Sequence, residues 1–474
     1  MARRDIVLDG VCSRVMDILT GGVFLAGLGL YLGADSFTIG VLASLPFLAQ
    51  LAQFPAVKIL RHVWDRKLVV ILGSAAARTV LLLIAVLLLR GLMGVGTLVL
   101  LITVMAVFAV ISAAAWNWWM RDLLPRGELG RFFGFRLQLT TLLAAGGLLF
   151  GGLTLDWFVA RGQAGQGYAS LFLAGAFFGG VGLFFLYRTP HRRPPPVPAS
   201  RSTLGLIVHS LRGPTNRRLL LATTLVAVTL TIALPFVAVF LLRSFEYSFA
   251  AITLVALVSQ VGYAGSLRGW GYLSDHFGNR PILLISMGIL VAVMVAWGLV
   301  NPAPSWMVLA FVAVLHFLSG FAIGGVELTS HNILLKTAPD QGAPAYLAGM
   351  SLSKALAAGV ATIGAGALWR VMGSGVVWEG ANVFGWTWTL RGFHVLALVS
   401  AAVGVAAIFA LRRIHEEGGA PVVDVARAMR REVRQLSSIA GIRAFVHVVS
   451  YVVEFVAAAR TIEEEADVHP PPPR

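Results

Sequence analysis

The chain has 474 residues, 58% of them hydrophobic and 12% charged, with a mean hydropathy of +0.82 and a formal net charge of +15. Soluble domains carry about twice that charged share, so the composition excludes an ordinary soluble enzyme or binding module. The basic excess has no separate basic domain to hold it, which excludes a nucleic-acid partner, and the single cysteine, Cys12, excludes an intrachain disulfide and a cysteine-based metal site.

Apolar runs of about twenty residues, the length that crosses roughly 30 Å of hydrocarbon as a helix, recur along the chain. They predict twelve spans, at 14–33, 37–58, 68–89, 95–117, 137–158 and 168–187, then 218–241, 248–267, 282–300, 306–330, 346–369 and 391–412. Backbone amides in lipid must bond within their own segment or within a closed barrel, and continuous runs of this length lack the alternation of barrel strands. The expected fold is an all-α membrane protein. Its N-terminal stretch MARRDIVLDGVCSR mixes basic residues with Asp5 and Asp9 and leads into a run without a small-residue cleavage site, so span 1 is expected to be retained.

Basic residues concentrate in alternate connections. They include Arg61, Arg66 and Lys67 after span 2, Arg121, Arg126, Arg131 and Arg136 after span 4, and Arg188, Arg192, Arg193, Arg201, Arg212 and Arg217 after span 6. The connections after odd-numbered spans are sparse in them. The asymmetry predicts that both termini are cytoplasmic, in a bacterial inner membrane, with the positive charge beside anionic lipid.

The chain is internally duplicated. The stretch MRDLLPRGELGRFFGF after span 4 lies on LLKTAPDQGAPAYLAG after span 10, with Pro125 on Pro339 and Phe132 on Tyr346 at an offset of 214. An offset of 213 places Lys67 on Arg280. The expected organisation is a six-helix bundle over 1–187, a basic, proline-rich linker over 188–217, a second six-helix bundle over 218–412, and a cytoplasmic tail over 413–474.

Between spans 8 and 9 the stretch GYLSDHFGNRP carries Gly271, Asp275, Gly278 and Arg280. A glycine, an aspartate four residues on, then a second glycine and a basic residue is similar to the loop signature of the major facilitator superfamily. His276 and Asn279 stand where that signature has basic residues, and the first-half copy has Lys58 and His62 in place of the glycine and aspartate. The resemblance implies twelve helices in two bundles, solute transport by alternating access, and a central cavity lined by spans 1, 4, 7 and 10. It also implies that Asp275 meets the start of span 11 near Ala345 and Tyr346, with Arg280 nearby, and steadies one closed face of a transporter. Chemically, Gly271 permits close helix approach, Gly278 permits a turn with positive φ, and Asp275 suits the positive end of a helix.

Ionisable residues inside spans cost about 2.5–3.5 kcal/mol each at a helix centre and therefore mark function. They are Asp17, Arg78, Glu327 and Lys354, with His316 beside them. Asp17 has Arg14 three residues away as a local partner; Arg78 has the choice of substrate or an interior carboxylate. Glu327 and Lys354 lie at matching depths, which predicts an ion pair that holds two helices or, on protonation of Glu327, switches. Asn117 lies in WNWW, which reads either as a cavity lining or as an interfacial aromatic belt. Around it, Thr20, Phe24, Thr229, Thr231 and Ser319 give a mildly polar lining that suits an amphipathic organic solute.

No phosphate-binding loop, zinc motif or nucleophile elbow occurs, so neither cofactor nor catalysis is expected, and the energy is expected to come from a gradient or from the substrate itself, with protons the candidate coupling ion. The leading function is secondary active transport of a small molecule. A membrane assembly or pigment-delivery factor and a solute-sensing receptor are the alternatives on the same scaffold. In the tail, Arg443, His447, Ser450 and Glu454 form one polar stripe opposite Ile442, Phe445, Val449 and Val453, which predicts an amphipathic helix on the inner membrane face.

Overall fold

The computed structural model describes residues 2–56, 65–123, 129–191, 213–301, 306–338, 343–373, 375–383, 386–414 and 416, with 421, 424, 425 and 427 beyond them. Most of the linker and the predicted tail helix lie outside the described residues. Residues Met1–Glu417 form one compact unit and Gly418–Arg474 another; in the second, Arg427 pairs with Asp424 at 3.2 Å.

Among the described residues, twelve helices are long and apolar enough to cross a membrane. They are α1 (Ala2–Thr20, continued by Gly22–Tyr31), α2 (Ser36–Leu48, with a 3-10 turn Ala49–Ala52), α3 (Arg66–Leu89), α4 (Val95–Leu123), α5 (Leu129–Val159) and α6 (Ala164–Arg188). Then follow α7 (Pro214–Ile232, a 3-10 turn Leu234–Phe236, and Val237–Ser244), α8 (Phe249–Phe277), α9 (Asn279–Trp297), α10 (Trp306–Thr337), α11 (Ala343–Met372) and α12 (Gly392–Arg412). The all-helical expectation needs one addition: an antiparallel hairpin of β1 (Val376–Val383) and β2 (Trp386–Arg391) precedes α12. Thr389 docks it by donating from Oγ1 to Asn301 Oδ1 at 2.7 Å. The end of the molecule that carries this hairpin is called the hairpin end, and the opposite one, with Ala2 and the α8–α9 turn, the basic end.

Packing repeats the duplication. In the first half α1 packs on α5 and α6, α3 on α4 and α6, and α2 on α4; in the second half α7 packs on α11 and α12, α9 on α10 and α12, and α8 on α10. The halves meet through α2 with α11 and through α5 with α8. Glycines permit the closest crossing, between α8 and α10, where a Cβ on Gly320 would overlap the Ser259 carbonyl oxygen and one on Gly262 the Phe317 carbonyl oxygen.

The first helix of each half is broken at an equivalent place. In α1 the break falls at Gly21 and Gly22, the latter at φ +50°. In α7 it falls at Pro235, 214 residues beyond Gly21, which is the repeat offset. Proline offers no N–H to the carbonyl four residues back. That carbonyl, of Thr231, accepts instead from Thr362 Oγ1 at 3.2 Å, and the Thr229 carbonyl from Ser400 Oγ at 2.7 Å.

Candidate functional site, a charged space between the halves

At the hairpin end the halves are tied by charge. The Asp156 carboxylate at the end of α5 accepts from the backbone N–H groups of Phe249 and Ala250 at 2.7 and 2.8 Å. It thereby occupies the positive N-terminus of α8 in the other half. Arg370 of α11 meets Asp35 at 3.1 Å, and Arg243 of α7 donates to the Ala34 carbonyl at 3.0 Å. Asp35 also accepts from the Thr38 hydroxyl and N–H at 2.6 and 2.8 Å; these bonds, the hydroxyl first, hold its carboxyl below the ordinary value. Side chains are nearly absent where the backbones cross: a Cβ on Gly40 would stand 3.0 Å from Gly366 Cα, and one on Gly152 would overlap Thr253.

Toward the basic end, charged side chains face a space between the halves. Asp17 and Arg14 of α1 are exposed there, and Arg14 lies within electrostatic reach of both Asp17 and Tyr263 on α8. Tyr263 donates from Oη to Glu327 Oε2 on α10 at 2.8 Å. Both halves thus contribute to one polar cluster at mid-span depth, where exposure to lipid would be costly. Asp17 stands on α1 and Glu327 on α10. Tyr263 was missed, because an aromatic on an apolar helix gives no signal until its neighbour is known.

The expected Glu327–Lys354 ion pair is absent in this conformation. Matching depth says nothing of helix rotation or adjacency: α10 packs along α8, bringing Tyr263 to Glu327, whereas α11 packs on α2 and α7. Lys354 is half-buried. His316, on a span that the resemblance implies lines the cavity, is turned toward α9, with its ring 5.5 Å from that of Trp297 and its Nδ1 3.0 Å from the Val312 carbonyl oxygen. Thr20, Thr229, Thr231 and Ser319 are buried and donate to carbonyls of their own helices, and Phe24 is buried against Gly151. They offer the space less than expected.

Arg78 belongs to a cluster inside the first half. Asp9 of α1 lies 3.8 Å from Arg78 of α3 and 3.8 Å from Arg136 of α5, and accepts from Ser13 Oγ at 3.2 Å. Arg188 of α6 stands 3.8 Å from Asp5. Four helices are therefore cross-linked through α1. The signal was present in the sequence: Asp5, Asp9, Ser13 and Asp17 recur every four residues, one face of a helix, but placing the start of span 1 at residue 14 cut it. Asn117 is exposed on α4 among Trp116 and Trp118, whose rings carry the guanidinium carbons of Arg136 at 4.9 Å and Arg66 at 5.0 Å. That arrangement fits the boundary reading of WNWW.

The α8–α9 loop is shorter than the stretch suggests. Gly271 and Asp275 are in the last turns of α8, and only Gly278, at φ +91°, turns the chain. Gly271 makes no tight crossing, since a Cβ there would sit 4.0 Å from Leu328. Asp275 is exposed and its carboxylate has no hydrogen bond or ion pair with a described residue, while the Tyr346 hydroxyl lies 3.3 Å from Thr337 Oγ1. Arg280 donates to the last carbonyls of α12, Leu411 and Arg412, at 3.2 and 2.6 Å. Its sequence counterpart Lys67 does the same for α6, donating to the Tyr187 and Thr189 carbonyls at 2.6 and 2.9 Å. The repeat offset thus predicts a shared task, a cation on the negative end of the sixth helix of each half.

The N-terminus of α9 is held by a residue outside the spans that sequence reasoning did not single out. Glu416 accepts from the N–H groups of Asn279 and Arg280 at 3.1 and 2.6 Å and from Asn279 Nδ2 at 2.9 Å, with Lys336 Nζ at 3.4 Å. Burial raises its carboxyl, but these bonds and the Lys336 charge outweigh burial and leave it below the ordinary 4.5. A lowered folded value means stability that is present above 4.5 and lost as pH falls through the lower folded value. Melting temperature should therefore be nearly constant around neutral pH and drop more steeply in acid for the wild type than for Glu416→Gln; parallel acid curves would refute the role.

A duplicated, twelve-helix membrane protein with a charged space between its halves has the layout of a solute carrier. The sequence profile of the Major Facilitator Superfamily matches residues 10–362 and 219–459, and the chain belongs to that family. Solved structures share the fold. A mutant of the nucleoside transporter NupG is 13% identical, with TM-score 0.69, covering 88% of this chain and 100% of that one. A bacterial homologue of the iron transporter ferroportin, in an inward-facing state, is 15% identical, with TM-score 0.63, over 87% and 98%. A bacterial homologue of the human lysosomal transporter Spinster, inward-facing and occupied, is 14% identical, with TM-score 0.62, over 87% and 95%. A search of curated proteins found no match.

Proposed function

We propose that the protein is a secondary active transporter of a small amphipathic organic solute, and that this conformer is open at the basic end, which faces the cytoplasm. One observation carries the reading: Arg14 and Asp17 of one half and Tyr263 and Glu327 of the other share a space, while the far end is tied shut between the halves. Charges of both signs beside an aromatic hydroxyl suit a solute with a polar, ionisable part and an apolar body. Closure of the basic end would bring Asp275 to the start of α11 and Lys354 toward Glu327, so that the two bundles, 1–187 and 218–412, rock about the solute. Protons are the coupling ion in this scheme, with Glu327 exchanging its Tyr263 bond for a Lys354 charge. Arg78 acts from within the first half, by fixing α1.

The test is a solute screen in proteoliposomes with and without an imposed pH gradient. Glu327→Gln should lose gradient-driven accumulation by about tenfold or more, the size expected when one charged hydrogen bond is removed, while solute exchange persists. A protein that moves nothing yet co-purifies with a stable partner complex would replace the transporter reading with that of an assembly factor.

A further inference from the structure

At the basic end a groove runs between the second turn of α7 and the C-terminal end of α12, lined by Arg218, Leu221, Ala410 and Arg413. We propose that it binds an anionic phospholipid, with the headgroup phosphate between Arg218 and Arg413 and an acyl chain along the floor beneath them. The two helices are packed together, and each shows the same profile. An arginine stands near the helix end, and three residues away, about one turn deeper, is an apolar residue: Leu221 below Arg218 and Ala410 below Arg413.

Both arginines are exposed, and neither side chain has a hydrogen bond or ion pair with a described residue. Several other described cations at this end are engaged: Lys67 and Arg280 on helix ends, Arg136 and Arg188 on aspartates, Lys336 on Glu416. Leu221 is 57% exposed, an apolar surface continuous with the spans and directly under two free guanidinium groups. A basic rim over an apolar floor at the membrane boundary is complementary to a phosphodiester joined to a hydrocarbon chain, and guanidinium forks match phosphate oxygens. Free phosphate would satisfy the rim and leave the floor uncovered. Arg412 lies beside the groove, with its guanidinium carbon 5.7 Å from the exposed Phe409 ring and its carbonyl held by Arg280. The site therefore adjoins the cap that joins α9 to α12.

The experiment uses the full chain in phosphatidylcholine vesicles, with Cys12→Ser and Leu221→Cys labelled by a bimane fluorophore. Quenching is titrated with phosphatidylglycerol or phosphatidylcholine carrying a nitroxide near the headgroup end of the acyl chain. Two arginines near an anionic headgroup predict half-quenching at about 30-fold lower mole fraction of the anionic lipid. Arg218→Gln with Arg413→Gln should erase the difference, either substitution alone should leave roughly fivefold, and Arg90→Gln at the hairpin end should change nothing. The single variants keep the test valid if the double variant does not fold. Equal quenching by both lipids, a preference that survives the double substitution, displacement of the lipid by inorganic phosphate, or a label that neither lipid reaches because another part of the chain lies in the groove would each overturn the proposal.

Discussion

Asp156→Ala should raise the reaction rate of a cysteine placed at Thr253, in a Cys12→Ser background, by roughly 30-fold. Thr253 is fully buried one turn into α8, facing Gly152 of α5, so its labelling reports separation of the halves at the hairpin end. The Asp156 carboxylate accepts two short hydrogen bonds from the N–H groups of Phe249 and Ala250, which have no partner within α8. Bonds to a charged group contribute about 1.5–3 kcal/mol each before the helix dipole is added. Removing the carboxylate leaves those donors able to reach water, so a net loss of about 2 kcal/mol, or about 30-fold in population, is a moderate expectation. Asp156→Asn keeps an acceptor and loses the charge, and should fall between. An unchanged labelling rate in a folded Asp156→Ala protein would show that the glycine crossings alone keep this end closed.

Gly320→Leu should prevent accumulation of folded protein, and even Gly320→Ala should lower the melting temperature markedly. The position is a crossing of two backbones, where a Cβ would overlap the Ser259 carbonyl oxygen, and no flexible side chain is available to move aside. Overpacking in well-filled sites costs about 1–3 kcal/mol when neighbours can adjust, and more where the obstacle is main chain. Gly265→Ala, on α8 with open space around it, is the matched control and should be neutral or slightly stabilising, since alanine favours helix. Size-exclusion profiles and thermal melts in detergent distinguish the two, and equal behaviour of the 320 and 265 variants would mean that the crossing is looser than the structure has it.

Much of the architecture was legible in the sequence because it follows from one-dimensional constraints. Lipid requires each span to be long, apolar and internally bonded, so length and hydropathy sufficed to locate twelve helices. Duplication is likewise a linear property: the offset that put Lys67 on Arg280 identified two cations with the same task on two helix ends. Gly278 was readable because positive φ is a local demand.

What lay beyond reach depends on rotation and adjacency, which hydropathy averages away. Glu327 and Lys354 both stand within candidate spans, yet their partners were decided by which helices touch, and the glycine crossing of α8 and α10 gave Glu327 to Tyr263. His316 has the same polarity whichever way it faces, and only packing turned it to Trp297. Asp9 and Glu416 sit at the borders of spans, where composition resembles a loop; their roles appeared once Arg78, Arg136 and the α9 N-terminus came within reach. The sequence by itself determined where the twelve apolar helices of the described residues lie and how the two halves correspond, because those depend on solvation of each segment and on a linear repeat. Tertiary structure alone decided which charges meet, because a hydrogen bond selects its partner at about 3 Å, far finer than the helix-length scale on which hydrophobicity acts.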